Sequence, residues 1–493
     1  MAVSEQNIRN IAIYAVPKFL GYGINFITLP ILTRILIPED FGIVILAWIF
    51  PAIAVSIVTC GLTSAVQRYY FEYRNDEAKL NALYFSSQVF LYFLLFISAV
   101  VVFFLKDGIS WLTMKNNTYG MAIFITYIAA YLGQIINFYL NLYQNMEKAK
   151  LNAFFTAMLA VCSAGSNILF VWYFKMSYMG LIYGLLTSTV IVWLALFLHF
   201  NKSVKMVFNT RILRENIYYG LQVSTKSLTS FVNKFFDKYM LNNMISLSAV
   251  GIFNIGQTIG NSLFFLMNTV WSSLQPVCYR EVFDRGIKAS VSVGRLFTIF
   301  SYAALIPVFL LILFAEEIVH IVAPSSYYAA IDVIIIICSA MATQVFGMYV
   351  GVQYAYSKKA YLIFPISVLG VIANVVANIA LIPHLGLVGA SFSVVFYYVI
   401  TNGILAFVGQ RLYRISYEWK TIAVLFALII AATISILVLR STRVFGVHLY
   451  VVKLGYLAVF VFIGFNAKII TKRSVRKIAN ALKMRRKYAQ AQI

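Results

Sequence analysis

Charged residues are scarce in this sequence, and acidic residues are the scarcest. Only 11% of the 493 residues are Asp, Glu, Lys or Arg, whereas about a quarter of a soluble domain is charged. Hydrophobic residues make up 62% of the chain, and apolar runs long enough to cross a bilayer recur from end to end. A β-barrel would show short alternating segments instead. The composition therefore predicts an all-α polytopic membrane protein.

Motifs for catalysis and metal binding are also missing. The four cysteines and four histidines show no paired spacing, so we expect no disulfide framework, metal site or cofactor. The chain lacks a P-loop, an HExxH motif, a nucleophile elbow and the acidic loop pair of glycosyltransferases. These absences argue against an enzyme. Energy for any transport would come from an ion gradient or from substrate supply.

The apolar runs predict about fourteen transmembrane helices. The first run is too long for the core of a signal peptide and lacks a small-residue cleavage site, so we count it as a span. The predicted spans are 11–33, 41–65, 81–105, 119–144, 151–174, 178–200, 217–243, 249–276, 295–319, 329–356, 361–382, 387–409, 421–439 and 448–466.

Lysine and arginine are distributed unevenly over the predicted loops. With the N-terminus in the cytoplasm, 28 of the 39 basic residues lie in inner loops or the tail, and 6 lie outside. This bias predicts a multi-pass protein of the bacterial inner membrane with both termini cytoplasmic. It also explains the net charge of +23 by topology and by contact with anionic membrane lipids. We expect no nucleic-acid partner.

Short motifs recur at a nearly constant offset. Phe41-Gly42-Ile43 matches Val250-Gly251-Ile252, Lys148-Ala149 matches Lys359-Ala360, and Gly180-Leu181 matches Gly386-Leu387. Such a repeat predicts two six-helix bundles in the same orientation, related by an axis along the membrane normal. The predicted domains are a first bundle (1–200), a basic cytoplasmic linker (201–216), a second bundle (217–410), two additional helices (411–466) and a basic cytoplasmic tail (467–493).

The seventh predicted span carries unusual charge. It contains Lys226, Lys234, Asp237 and Lys238, although each charge at mid-membrane costs about 2.5–3.5 kcal/mol. We interpret its polar face as one wall of a wet, basic cavity in which Lys18, Lys226 and Lys234 bind an anion such as a diphosphate. The alternatives are that Lys238 snorkels to the surface and that Asp237 pairs with Lys234. Asp237 is therefore either an ion-coupling residue or a structural partner.

Uncharged polar residues form stripes on several other spans. Such side chains either line the cavity or join helices by hydrogen bonds. The second, fourth and tenth spans carry Thr63, Gln134, Asn137, Asn141, Gln144, Gln344 and Gln353. The residues predicted to line the cavity are Tyr14, Tyr22, Asn25, Asn233, Asn254, Gln257 and Asn261.

Four stretches resemble the Wzx-type polysaccharide-repeat flippases of the MOP superfamily. They are YAVPKFLGYGINFITLPILTRILIPEDFGIVILAWIF at 14–50, VTCGLTSAVQRYYFE at 58–72, Asp237-Lys238-Tyr239 followed by Val250-Gly251-Ile252-Phe253, and NVVANIALIPHLGLVGASFSVVFYY at 374–398. Gln222-Val223-Ser224 departs from the family pattern, in which a proline is common. The resemblance covers most of residues 10–410.

This resemblance implies alternating access around a central cavity. The implied substrate is a polyprenyl-diphosphate-linked oligosaccharide moved from the cytoplasmic to the outer leaflet for surface polysaccharide, such as O-antigen, and the implied partner is the polysaccharide polymerase machinery. A peptidoglycan-precursor flippase is a variant of the same reading. Two other functions remain open. A multidrug-type cation antiporter of the same superfamily should have an acidic cavity, and a membrane polysaccharide polymerase or glycosyltransferase should have a long outer loop or an acidic loop motif.

Overall fold

The computed structural model describes residues 21, 23, 24, 27–202, 204–442 and 447–469. Within these ranges, the side chains of residues 222–234, 273, 447 and 448 lie outside the described part. The regular elements of the described residues are helices. Residues 27–35 are helical, and they precede fifteen α-helices that we number in chain order.

The helices have the following bounds: α1 Pro38–Val58, α2 Leu62–Tyr73, α3 Glu77–Met114, α4 Gly120–Asn145, α5 Ala149–Ile168, α6 Ser177–Asn201, α7 Thr210–Met244, α8 Leu247–Arg285, α9 Ser290–Val322, α10 Ala330–Met341, α11 Gln344–Tyr349, α12 Gly351–Tyr356, α13 Ile363–Leu412, α14 Trp419–Ser441 and α15 Val447–Asn466. A π-helical turn, Leu169–Tyr173, extends α5.

Eleven helical stretches of the described chain are long and apolar enough to cross a membrane. The protein is thus an all-α multi-pass membrane protein, as its composition predicts. α7 is not among the eleven, because its lysines, amides and hydroxyls interrupt the apolar sequence. One of the stretches, Ala360–Leu412, contains two predicted spans. The number fourteen and the repeat architecture remain predictions.

The helices extend further than the apolar runs do. The segment 66–80 was expected to be a polar loop, but α2 is helical to Tyr73 and α3 begins at Glu77. The turn is therefore only three residues long. It is stabilised by Asp76, whose side chain accepts a hydrogen bond from the Lys79 backbone N–H at 3.1 Å. Polar residues continue a helix beyond the bilayer whenever a cap and good helix formers are present.

α13 bends between two predicted spans. Pro383 lies inside the helix, and Gly386 has φ 57° and ψ −129°. A side chain at this backbone conformation would be strained, which explains the glycine. The bend lets one continuous stretch supply both predicted spans.

The chain forms two compact units. Unit 1 comprises Met1–Gly256, Ile318–Ala330 and Val375–Ala390, and unit 2 comprises Gln257–Glu317, Ile331–Asn374 and Ser391–Ile493. Each unit draws on distant parts of the sequence, since helices that lie far apart along the chain pack together in it.

The core of unit 1 is built on α4, whose tyrosines are buried. Tyr139 lies 3.1 Å from the hydroxyl of Tyr92, which also accepts a hydrogen bond from the Trp193 indole N–H at 2.9 Å. Tyr131 donates to the Leu91 carbonyl at 3.0 Å. The hydroxyls of Tyr92, Tyr131 and Tyr139 thus each have a hydrogen-bonding partner in another helix, as burial of a polar group favours.

The core of unit 2 lies along α9. Tyr349 is completely buried, packs at 4.8 Å on the ring of Phe297 and donates its hydroxyl proton to the Val293 carbonyl at 2.6 Å. The rings of Tyr302 and Phe309 each stack on Phe460 with centroids 4.8 Å apart. The last helix is therefore packed firmly onto α9.

Candidate transport site

A buried polar pair joins α7 to α13 in unit 1. Asp237 is 1% exposed, and its Oδ1 accepts a hydrogen bond from Nδ2 of Asn378, which is completely buried, at 2.5 Å. The sequence predicts that Asp237 lies well inside a span, and this placement in the membrane stays a prediction. The sequence did not predict Asn378 as a partner, because the two residues are 141 positions apart.

The burial of Lys238 contradicts the expectation that its side chain snorkels to the membrane surface. We expected that this lysine could snorkel to the membrane surface, but it is only 3% exposed. Its ammonium lies 5.6 Å from the centroid of the Phe235 ring, one helical turn away. A cation over an aromatic face is stabilised even where water is excluded. Lys238 is therefore part of the packed interior of unit 1.

Most of the predicted lysine site lies outside the described residues. Lys18, Tyr14, Tyr22 and Asn25 belong to the undescribed N-terminal segment. The backbone of Lys226, Asn233 and Lys234 is helical, but their side chains are outside the described part. Anion binding by these lysines, and the pairing of Asp237 with Lys234, stay predictions.

The polar stripe predicted on α8 is only partly buried. Asn254 and Gln257 are half-buried, and the stripe continues through exposed side chains at spacings of three, four and seven residues. The exposed members are Asn261, Asn268, Ser272 and Gln275. Amide groups facing hydrocarbon would lose their hydrogen bonds to water at a cost of several kcal/mol each. This face of α8 is therefore suited to an aqueous surface rather than to lipid.

A second polar stripe lies on α4 of unit 1. Asn137 and Gln144 are exposed, whereas Gln134 is half-buried and its Nε2 lies 3.4 Å from the Thr63 hydroxyl. Asn141 donates to the Asn137 carbonyl of its own helix at 2.8 Å. The α4 stripe thus combines one contact between helices with exposed amides.

The third polar stripe, on α11 and α12, has a different role. Gln353 is completely buried and donates to the Tyr413 carbonyl at 2.7 Å. Thr343, just before α11, accepts a hydrogen bond from Asn402 at 2.9 Å. These polar groups form hydrogen bonds to other parts of the chain rather than lining a cavity, and they stabilise packing.

Ion pairs on the last two helices were missed by sequence reasoning. Lys453 is 1% exposed and lies 2.5 Å from Glu317. Arg440 contacts Asp332 at 3.0 Å and Glu316 at 3.5 Å. Lys453 was visible as a lysine within an apolar run, but its partner lies 136 residues away. In the described part of the chain no group of three or more His, Cys, Asp or Glu could hold a metal ion.

Solved structures of transporters share this fold. The chain is similar to the lipid II flippase MurJ in an inward closed conformation, with a TM-score of 0.71, 11% identity, and coverage of 94% of this chain and 99% of that chain. It is also similar to an inward-facing multidrug resistance MATE family transporter of the MOP superfamily (0.62, 15%, 82% and 98%). A MOP superfamily transporter from Pyrococcus furiosus, described as having a binding pocket of reverse polarity, gives 0.55, 13%, 82% and 95%. The chain therefore has the fold of MOP superfamily transporters.

The chain also matches a sequence family. The model of the polysaccharide biosynthesis protein family matches residues 8–280, which is more than half of the chain. The chain belongs to the polysaccharide biosynthesis protein family, and the resemblance noted from its sequence motifs is confirmed at this level. None of the curated proteins matches the chain.

Proposed function

We propose that this protein is a flippase of the bacterial inner membrane that moves polyprenyl-diphosphate-linked oligosaccharide from the cytoplasmic to the outer leaflet. It would work by alternating access and supply repeat units for surface polysaccharide. It acts as a transporter rather than an enzyme, and the polysaccharide polymerase machinery would take up its product. Family membership and the fold support this proposal.

The exposed amide stripe of α8 is the observation that carries the proposal. A glycan presents many hydroxyl groups, and Asn and Gln can each donate and accept hydrogen bonds with them. A row of such groups is suited to a substrate whose sugar composition varies along its length. A multidrug antiporter of cations would instead need carboxylates, and α8 has none between Leu247 and Arg280.

Three lysines are our candidates for binding the diphosphate of the substrate. Lys18, Lys226 and Lys234 supply positive charge that a diphosphate would neutralise. Asp237 is our candidate for ion coupling, because a buried carboxylate can change its charge during a transport cycle. If Asp237→Asn leaves export and its pH dependence unchanged, Asp237 is not an ion-coupling residue.

Export of surface polysaccharide in a flippase-deletion strain tests the function. The wild-type chain should restore export, and Lys226→Arg should retain much of it because the charge is kept. Lys226→Gln should lose most export, and Lys226→Glu should abolish it by repulsion. All values are normalised to the amount of protein in the membrane. Lys115→Gln, on an exposed predicted outer loop, is the matched control and should export normally.

Two outcomes would contradict the proposal. Normal export by Lys18→Gln, Lys226→Gln and the double variant would exclude the cationic site. Failure of the wild-type chain to restore export, together with resistance to cationic drugs, would favour an antiporter.

Reporter fusions test the predicted topology. Fusions after Lys202 and Lys288 should report a cytoplasmic location, and fusions after Asp107 and Lys175 should report a location on the outer side of the membrane.

A further inference from the structure

Two glycines of the internal repeat meet in unit 1. A Cβ atom added to Gly42 would overlap the carbonyl oxygen of Leu247, and a Cβ added to Gly251 would overlap the carbonyl oxygen of Pro38. That second Cβ would also lie 3.1 Å from the backbone nitrogen of Gly42. α1 and α8 therefore touch backbone to backbone, which only glycine permits.

The contact is reciprocal. Pro38 and Leu247 are the first residues of α1 and α8, and Gly42 and Gly251 are the fifth residues of the same helices. Each glycine thus packs on the first carbonyl of the other helix. The matching triplets Phe41-Gly42-Ile43 and Val250-Gly251-Ile252 acquire a physical purpose, since each provides the gap into which the other helix fits.

Two hydrogen bonds lie beside the glycines. Thr33 donates to the Val322 carbonyl at 2.6 Å, and Tyr327 donates to the Leu36 carbonyl at 2.8 Å. Tyr327 is completely buried and packs edge-on against Phe41 at 6.0 Å. Burial raises the pKa of the Tyr327 hydroxyl, so this group remains a donor at physiological pH.

The position of these contacts along the chain indicates the side of the membrane on which they lie. The connections before α1, before α8 and after α9 come together here, and the distribution of basic residues predicts that all three lie on the outer side of the membrane. Each hydrogen bond favours the closed state over the open state by only about fivefold. Together the two bonds favour the closed state by about 25-fold, a preference that a bound ligand can reverse.

We infer that the Gly42–Gly251 contact, secured by Thr33 and Tyr327, closes the outer end of the transport path and must separate for outward opening. This inference rests on the proposed function, which requires an end that opens and closes. It deepens that function by assigning the closing residues. A larger residue at either glycine should then hold the outer end open.

Thiol labelling tests the closure without measuring transport. The four native cysteines are replaced, and Asn254→Cys, one turn beyond Gly251, serves as the reporter. A membrane-impermeant maleimide is added to intact cells, so that only access from outside is measured. Gly42→Ala and Gly251→Ala should each raise the labelling rate more than about fivefold, since a clash costs more than one hydrogen bond. Gly133→Ala is the control, because a Cβ there meets nothing within 4 Å.

Two milder variants keep the test decisive if the alanine variants fold poorly. Thr33→Val and Tyr327→Phe keep shape and remove one hydrogen bond each, so each should raise labelling about fivefold. Unchanged labelling in these two folded variants would overturn the inference. Increased labelling only from the cytoplasmic side, measured in inverted vesicles, would also overturn it.

The two proposals fail in different ways. If the wild-type chain does not restore polysaccharide export but the variants change labelling, the closure stands and the proposed substrate is wrong. If export is restored and labelling does not move in any variant, the function stands and the glycine contact is static packing.

Discussion

Unit 2 contains two polar stripes that look alike in sequence and differ in surroundings. On α8, Asn261 and Asn268 are exposed, whereas on α12 Gln353 is completely buried and bonded to the Tyr413 carbonyl. Both stripes place amides at helical spacing among apolar residues. Helical spacing therefore identifies a polar face, and the packing partner decides whether this face stabilises the fold or meets water.

The largest expected effect on stability comes from the ion pair of Lys453 and Glu317, whose polar groups contribute to packing as those of the buried stripe do. Lys453→Met leaves Glu317, which is 27% exposed, without its partner. Because Glu317 keeps some access to water, the loss should lie at or below the lower end of the roughly 3–5 kcal/mol that breaking a fully buried ion pair costs. We expect the largest fall in thermal stability for this variant. A thiol-reactive dye that reaches the buried Cys278 and Cys338 on unfolding measures it. The double variant Lys453→Met/Glu317→Gln should recover much of the loss, and a single variant as stable as the wild type would contradict a structural role.

Gln353→Leu tests the buried stripe directly. The change leaves the Tyr413 carbonyl without its donor, and a buried unsatisfied group costs about 2 kcal/mol. Stability should fall in the same dye assay, while export per molecule stays near normal. Gln275→Leu on the exposed stripe is the matched control, with a stability change within about 0.5 kcal/mol. Equal losses for the two variants would erase the distinction between the stripes.

Asn268→Leu tests the exposed stripe. We expect stability within about 0.5 kcal/mol of the wild type and export about fivefold lower, which corresponds to one lost hydrogen bond to substrate. Export normalised to membrane protein is the measurement. Asn402→Leu should show the opposite pattern, since Asn402 is buried and bonded to Thr343. Normal export by Asn268→Leu would argue that the stripe does not touch the substrate.

Asp76 gives the smallest expected effect, at a polar site outside the membrane spans. Hydrogen bonds from the Lys79 backbone and side chain lower the pKa of this carboxyl. Its stabilisation is therefore present above the unfolded pKa of about 3.9 and is lost as the pH falls through the lower folded pKa. The difference in melting temperature between wild type and Asp76→Ala should be small at pH 7 and should vanish at low pH. A difference that grows on acidification would contradict the cap.

Some of the site was accessible from the sequence. The polar face of α8 follows from helical spacing, and the break between the predicted spans 361–382 and 387–409 coincides with the bend at Gly386. Lys238 shows the limit of such reasoning. Its place near a span end suggested snorkelling, but a neighbouring ring and the packing of α7 bury it.

Composition and charge distribution are sufficient to identify the class of this protein. Scarce charge, repeated apolar runs and the bias of basic residues are sums over many positions, so they survive errors at any one of them. Three residue pairs became known only from the packing of the folded chain: Asp237 with Asn378, Lys453 with Glu317, and Gly42 with Gly251. The partners in each pair lie more than 130 positions apart. Periodicity along one helix reports which face is polar or small, but it carries no information about which distant helix that face meets.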